Sequence, residues 1–324
     1  MSTPAANAPE PRRAPKVSVV SVNYRQAGVT CELLETLRAC TYPALEVVLV
    51  DNGSLADESA RFRYHYPGLV HVRTEENLGF AGGTNLGIEH ATGELILMLN
   101  NDTLVEPGFL QPLVDVLVRH PEVGMASPKI VFAEPAGVLQ YAGSFIGQPV
   151  LGRGTQIGHL EPDRGQYDDT RYTDLPHGAC MLVRREVFER VGLLPEFYFM
   201  YFEELDFAVA ARKAGYRTMY CGATHVTHRQ SVSLGAGSPR KTYYLHRNRV
   251  LFYRRALSRL AYVAFLAYYL CVAVPTAVVR FSRRRDLGHL RALARALSWN
   301  ARRAVTRAEP LGLPHLRSSL PQDD

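Results

Sequence analysis

From residue 17 onward, short β-branched runs alternate with stretches of helical periodicity, and this rhythm limits the chain to very few architectures. Residues 17–24, 45–51 and 69–73 read as strands, with helices around 32–40 and 57–66 between them. Residues 94–100 are almost unbroken apolar sequence, as in a strand covered on both faces. A succession of such βαβ units predicts an α/β fold with a mostly parallel central sheet. Right-handed crossovers bring the loops after Tyr24, Asp51 and Asn100 to one edge, where open α/β sheets bind their ligands.

Beyond residue 129 the order changes. Pro, Gly and Tyr are frequent up to about Asp174, and the polar stretch 158–172 reads as a mobile loop. A strand at 178–184, a short helix at 185–191, an amphipathic helix at 203–214 ended by Gly215, and a last strand at 217–221 follow. Residues 1–15, rich in Pro and Ala and without an apolar core segment, read as a disordered tail rather than a signal peptide. The chain thus divides into this tail, an enzyme-sized domain over 16–240, and a basic helical region over 241–324.

Of the 324 residues, 47% are apolar, enough to bury a full core and to exclude a disordered chain. The net charge of +6 is uneven: Arg254, Arg255 and Arg259 precede an uncharged apolar run at 260–279, and Arg280, Arg283, Arg284 and Arg285 follow it. That pattern points to an anionic membrane surface and not to a nucleic-acid groove. The run approaches the ~20 residues that span a bilayer, but basic clusters at both ends oppose a single crossing. A membrane-seated helix or re-entrant hairpin on the cytoplasmic face of the inner membrane is expected, a buried core helix being the alternative, with the basic amphipathic stretch 287–303 also in the interface. Five cysteines without CxxC spacing suggest a reducing compartment.

Four segments carry candidate chemistry. Val50-Asp51-Asn52-Gly53-Ser54 ends the second strand, in residues that equally suit an ordinary turn. Asn77-Leu78-Gly79-Phe80-Ala81-Gly82-Gly83-Thr84-Asn85 sets glycines before a helix, so that backbone N–H groups could face a phosphate, close helix–strand packing being the alternative. Asn100-Asn101-Asp102 ends the buried strand abruptly in polar side chains, oxygen donors suited to Mg²⁺ or Mn²⁺ or to a helix cap. Phe202-Glu203-Glu204-Leu205-Asp206 opens a helix just after an aromatic run, so desolvation and mutual repulsion raise the carboxyl pKa toward a general base's range. His228 follows the next strand, where it can return to the same edge.

Together with Tyr244-Leu245-His246-Arg247-Asn248, these segments resemble glycosyltransferase family 2, more narrowly its bacterial rhamnosyltransferase-like branch, over residues 17–253. The resemblance implies a GT-A fold and an inverting transfer from a nucleotide-diphosphate sugar to a saccharide or lipid-linked acceptor. It implies that Asp51 meets the base, within a donor site that also holds Asn52, Asn77, Gly79, Asn85 and Asn101. Asp102 and His228 would hold Mg²⁺ or Mn²⁺, Glu204 would be the catalytic base, and Glu203 and Asp206 would line the acceptor site. Family members usually carry Asp where this chain has Glu204, a base longer by one methylene. A sugar-nucleotide nucleotidyltransferase would share a sheet-edge site but would open with a Gly-rich basic loop where this chain has Asn23-Tyr24-Arg25-Gln26. A binding scaffold without activity is the remaining alternative, and clustered carboxylates beside aromatics weigh against it.

Overall fold

The computed structural model describes residues 13–147, 154–229 and 237–305. Most of the predicted tail, and residues 306–324 of the C-terminal region, lie outside them. Four parallel strands form one half of the sheet: β1 (Val17–Asn23), β2 (Leu45–Asn52), β3 (Val70–Thr74) and β4 (Leu95–Leu99), in the order β4-β1-β2-β3. The helices α1 (Ala27–Arg38), α2 (Ser59–His65) and α3 (Gly79–His90) connect them. Successive side chains alternate between the two faces. Leu95, Leu97 and Leu99 of β4 enter one core with α1 and α2, whereas Ile96 and Met98 enter the other with α3.

The second half begins with the short β5 (Thr103–Val105), α4 (Leu110–Arg119) and the wholly buried β6 (Val123–Phe132). After β7 (Leu139–Tyr141), β8 (Ser144–Phe145), β9 (Thr155–Gln156) and β10 (Thr170–Thr173), the strand β11 (Cys180–Arg184) inserts antiparallel between β4 and β6. Two helices, α5 (Arg185–Val191) and α6 (Glu203–Lys213), then lead to β12 (Arg217–His228). This strand extends past the predicted 217–221, running parallel to β6 and pairing at its end with β5, His228 opposite Thr103. The stretch 158–172, expected as a mobile loop, is tied down instead. The Leu139 N–H donates to the Glu161 carbonyl, the Leu139 carbonyl accepts from Leu160 N, and the buried Lys129 ammonium binds both Asp163 and Asp168.

The glycines expected to precede a helix, Gly79, Gly82 and Gly83, belong to α3 itself. Glycine weakens a helix, but a Cβ at Gly87 would lie 2.4 Å from the Val20 side chain, so only glycine lets this helix approach the sheet so closely.

Four helices complete the described chain: α7 (Pro239–Ala256), α8 (Arg259–Tyr268), α9 (Val274–Arg283) and α10 (Leu287–Val305). The boundary expected at 240/241 therefore falls inside α7. A π turn at Tyr269–Ala273 joins α8 and α9 into one 25-residue helix, so residues 259–283 run as a single helix and not as the expected alternative, a re-entrant hairpin. The π turn lies just before Pro275, whose ring displaces the normal ladder, and the Thr276 hydroxyl donates to the Val272 carbonyl at 2.7 Å. Phe265, Tyr269, Ala277 and Phe281 face the protein, while Leu260, Val263, Leu270, Val272 and Val279 face outward. Only 17% of the most apolar window of this helix is buried, which argues against a core helix. The apolar face of α10 is covered: Ala292, Leu293 and Ala296 are buried where it lies along α7 and α9, so its amphipathic pattern serves the fold and not a bilayer.

Candidate active site

Strands β1, β2, β4, β6 and β12 all end at one edge, and β11 begins there. A buried polar chain crosses it. Asn101 Nδ2 donates to Thr30 Oγ1 at 3.0 Å, Thr30 Oγ1 donates to Asn23 Oδ1 at 2.8 Å, and Asn23 Nδ2 donates to Asp51 Oδ1 at 2.8 Å. Asp51 Oδ2 has no hydrogen-bond partner, with Arg73 Nε 3.7 Å away. A buried carboxylate oxygen without a donor costs ~1–3 kcal/mol or more, which favours a ligand N–H at this point. Burial holds nearby His71 below the usual imidazole range, Asp51 opposing, so Asp51 faces a neutral ring.

Asn52, Asn77 and Gly79 do not form the expected phosphate cradle. Asn52 Oδ1 accepts from Leu78 N, Asn77 Oδ1 from Gly79 N, and the Phe199 carbonyl from Phe80 N, all within 3.0 Å. The N–H groups of Leu78, Gly79 and Phe80 are thus already bonded within the protein. Asn52 Nδ2 also binds the Gly79 carbonyl, and Gly79, at φ +75°, touches Phe199 so closely that a Cβ would sit 2.4 Å from its carbonyl oxygen. Asn85 is likewise a brace, its amide gripping Leu194 N and O and Glu196. These four residues brace the loops behind the sheet edge.

Asp102 and His228 meet as expected, Oδ1 to Nε2 at 3.1 Å, both nearly buried. The pairing of β12 with β5 sets this distance. Gln140 Oε1 lies 2.8 Å from His228 Nδ1, which orients the ring so that Nε2 faces the Asp102 carboxylate. Two acceptors that close require a cation between them, either a proton on Nε2 or a metal. The donor set, one carboxylate and one imidazole, fits Mg²⁺ or Mn²⁺ with the remaining positions left for diphosphate oxygens and water. Among the described residues no group of three or more metal-binding side chains occurs, so the described protein groups supply two ligands.

The carboxylates at the start of α6 separate. Asp206 turns away from the site: its Oδ2 accepts from Tyr198 Oη at 2.9 Å and from Arg255 Nε at 2.7 Å, tying α6 to α7. One helical turn separates 203 from 206, and Asp206 faces α7, away from the sheet edge, so it does not join the expected acceptor-side group. Glu203 and Glu204 each keep an unpartnered Oε2. Glu203, 3% exposed, is held well above the usual glutamate range by burial and then by Glu204. Burial also raises Glu204, a residue less deeply buried than Glu203 although its unpartnered Oε2 is itself covered. Its Oε1 lies against Gly178, where a Cβ would be 3.3 Å away, and the neighbouring residue, His177, packs edge-on against His228 at 6.1 Å. Burial, with Glu203, Glu204 and Asp102 adding to it, pushes the Tyr201 phenol up to about 12, so one tyrosine senses both halves of the site.

The segment before Glu203 has an unusual backbone. Phe199, Tyr201 and Phe202 have φ of 65°, 65° and 80°, each costing ~1–3 kcal/mol for a side-chain-bearing residue. Arg247 and Asn248 hold it there. Asn248 Nδ2 donates to the carbonyls of Tyr198, Met200 and Tyr201 at 2.9, 2.7 and 2.9 Å, and Arg247 NH2 donates to those of Phe197 and Tyr198. The motif at 244–248, assigned no role from sequence, is the mould of the loop that presents Glu204. Sequence reasoning also missed Asn23, Thr30 and Gln140, isolated polar residues whose only signal was a polar side chain within apolar surroundings.

Residues 18–192 match the family model described as glycosyl transferase family 2. That is more than half of the chain, which therefore belongs to this family. It is 32% identical over 250 residues to the O-antigen biosynthesis protein RfbC of Myxococcus xanthus, covering 72% of this chain but only 19% of that protein. It is 28% identical over 240 residues to an N-acetylglucosaminyl-diphospho-decaprenol L-rhamnosyltransferase of Mycobacterium tuberculosis, covering 67% of this chain and 77% of that one. These relatives agree with the rhamnosyltransferase-like branch. In three dimensions the chain is similar to the mannosyltransferase PcManGT from Pyrobaculum calidifontis in complex with GDP-Man and Mn2+ (TM-score 0.55, 21% identity, 95% of this chain and 81% of that one). It is also similar to S. aureus TarS 1-349 in complex with UDP-GlcNAc (TM-score 0.57, 18% identity, 87% and 79%). The fold is GT-A, and the chain is a glycosyltransferase.

Proposed function

We propose that this family 2 glycosyltransferase moves a sugar, with rhamnose the leading candidate, from a nucleotide diphosphate to a saccharide or polyprenyl-linked acceptor in cell-envelope polysaccharide synthesis, inverting the anomeric centre. The observation that carries the reading is the convergence of an unpaired, desolvated Glu204 with the Asp102–His228 pair at the sheet edge that also holds Asp51. Asp51 Oδ2 binds a base N–H, and the Asn101–Thr30–Asn23 chain keeps that carboxylate in place. Asp102 and His228 hold a divalent cation, which when bound stabilises the negative charge that grows on the departing diphosphate. Glu204 takes the proton of the acceptor hydroxyl. That oxygen forms a bond to the anomeric carbon from the face opposite the diphosphate, and the pair of the breaking C–O bond leaves with the phosphate oxygen. Glu203, whose carboxyl is held well above the usual glutamate range by burial and by Glu204, is a poor second nucleophile, which supports inversion.

The exposed apolar side of the 259–283 helix supports a seat in the cytoplasmic leaflet close to a lipid-linked acceptor. Its other side packs on α7 through α8 and on α10 through α9, in keeping with a helix that lies in the interface plane with both basic flanks on one side. Transfer from a panel of labelled nucleotide sugars, compared with Glu204→Gln, tests the proposal. A loss of about 10²–10⁴-fold in rate with nucleotide affinity held within about threefold is expected. A fully active Glu204→Gln enzyme would remove the base assignment, and no transfer or donor hydrolysis with any sugar would leave a binding scaffold.

A further inference from the structure

Away from the sheet edge, a cavity of about 450 Å³ opens between α7, α9 and α10. Lys241 and Thr242 of α7, Arg280 and Arg284 at the end of α9, and Asp286 and His289 around the start of α10 line it. Three cations face one carboxylate. Asp286 is itself engaged, its Oδ1 accepting from His289 N at 3.1 Å and its Oδ2 lying 3.4 Å from His289 Nε2. The floor is polar and fixed: Thr242 Oγ1 and His289 Nδ1 meet at 2.7 Å, and both residues are buried.

Two long helices begin here. Pro239 opens the 18-residue α7, and Gly288, at the start of the 19-residue α10, sits so close that a Cβ would be 3.0 Å from the Pro239 ring. The N-terminal ends of α7 and α10 meet the C-terminal end of α9 here, so the helix dipoles partly offset one another, and it is the three cations against one engaged carboxylate that make the field suit an anion. Arg280 and Arg284, one turn apart at the end of α9, directly follow the outward-facing Val278 and Val279. Cavity and apolar face are thus continuous along a single helix.

We propose that this cavity binds the head-group phosphate of an anionic membrane lipid, whose hydrocarbon chain lies along the outward face of the 259–283 helix. The membrane seat proposed above names the source of the phosphate; nothing in the transfer chemistry enters. A point charge spread over the surface would need no cavity, whereas a phosphate seated between Arg280 and Arg284 can take guanidinium N–H bonds from both.

The test titrates the full-length protein in a neutral maltoside detergent with dihexanoyl phosphatidic acid, dihexanoyl phosphatidylcholine or inorganic phosphate, read by calorimetry. The first ligand should bind at least tenfold tighter than the other two. Arg280→Ala/Arg284→Ala should weaken it at least tenfold. Arg259→Ala/Arg283→Ala, which removes equal charge from exposed positions outside the cavity, should change it less than threefold. Arg280→Lys/Arg284→Lys keeps the charge but loses the guanidinium forks and should weaken binding by less than the alanine pair does, which separates a lost site from a misfolded variant. Equal losses in the two alanine pairs would reduce the effect to bulk charge and overturn the proposal. Binding of inorganic phosphate as tight as that of the lipid would make a soluble phosphate the ligand and overturn the lipid assignment. Because the titration reads neither turnover nor vesicle binding, its failure is distinct from failure of the proposed function.

Discussion

Asn248→Ala tests whether the loop before Glu204 is held in place by α7. Asn248 is fully buried and its amide contacts three carbonyls of residues that flank the left-handed positions Phe199, Tyr201 and Phe202, while its Oδ1 accepts from Arg247 Nε at 2.7 Å. Neutral hydrogen bonds contribute ~0.5–1.5 kcal/mol each and those to a charged group ~1.5–3, so the substitution should cost about 3–5 kcal/mol, the upper range for a single change. At ~2–4 °C per kcal/mol for a domain of this size, Tm should fall by about 10 °C. The three left-handed residues can then relax, so Glu204 leaves its position while Asp51, on the far side of the sheet edge, stays. Thermal unfolding and steady-state transfer, with nucleotide affinity measured separately, should show lower Tm and kcat with nucleotide Kd nearly unchanged. Asn248→Asp, which offers a carboxylate to the same carbonyls, should be at least as damaging. If Asn248→Ala unfolds within about 2 °C of the parent and turns over normally, the mould argument is wrong.

The buried glutamates set a pH dependence: with the native pKa of Glu204 raised by burial, the acid limb of kcat/KM should lie above the ordinary glutamate value of 4.5, and a limb at or below it would contradict the desolvated base. Glu203 binds its proton more tightly folded than unfolded, so its burial costs stability progressively as pH rises above 4.5; Glu203→Gln should raise Tm at pH 7.5, less at pH 5, and keep most activity. Transfer should need Mg²⁺ or Mn²⁺ and stop in EDTA, and Gln140→Leu, which releases His228 Nδ1, should weaken metal affinity by about 10–100-fold; an enzyme fully active in EDTA would refute this. Truncation after Tyr253 should destabilise the catalytic unit, because it deletes Arg255, the partner of Asp206, and Trp299 and Asn300, which cover Arg247; a truncated chain that melts like the parent would show these contacts to be dispensable.

Period and composition were sufficient to locate β1 to β4, since alternating apolar residues bounded by turns have few other uses, and strand ends follow directly from where the apolar run stops. Asp51, Asp102 and Glu204 were legible for that reason: each is a charged side chain where an apolar segment ends. His228 was legible in place, though the 12-residue β12 that delivers it was not, because its middle carries the irregular register between Cys221 and His225.

The direction in which a polar side chain spends its hydrogen bonds is a tertiary matter. Asn52, Asn77 and Asn85 have the same chemistry whether they hold a nucleotide or a loop, and only their neighbours, the N–H groups of Leu78, Gly79 and Leu194, make them braces. Asp206 sits three residues from Glu203 in an acidic cluster, yet Arg255, 49 positions away, claims it. The amphipathic pattern of α10 likewise cannot distinguish a bilayer from another helix, since both satisfy the same apolar stripe. What covers a face, and which of two equivalent carboxylates remains unpaired, depends on residues distant in sequence that only the folded chain brings together.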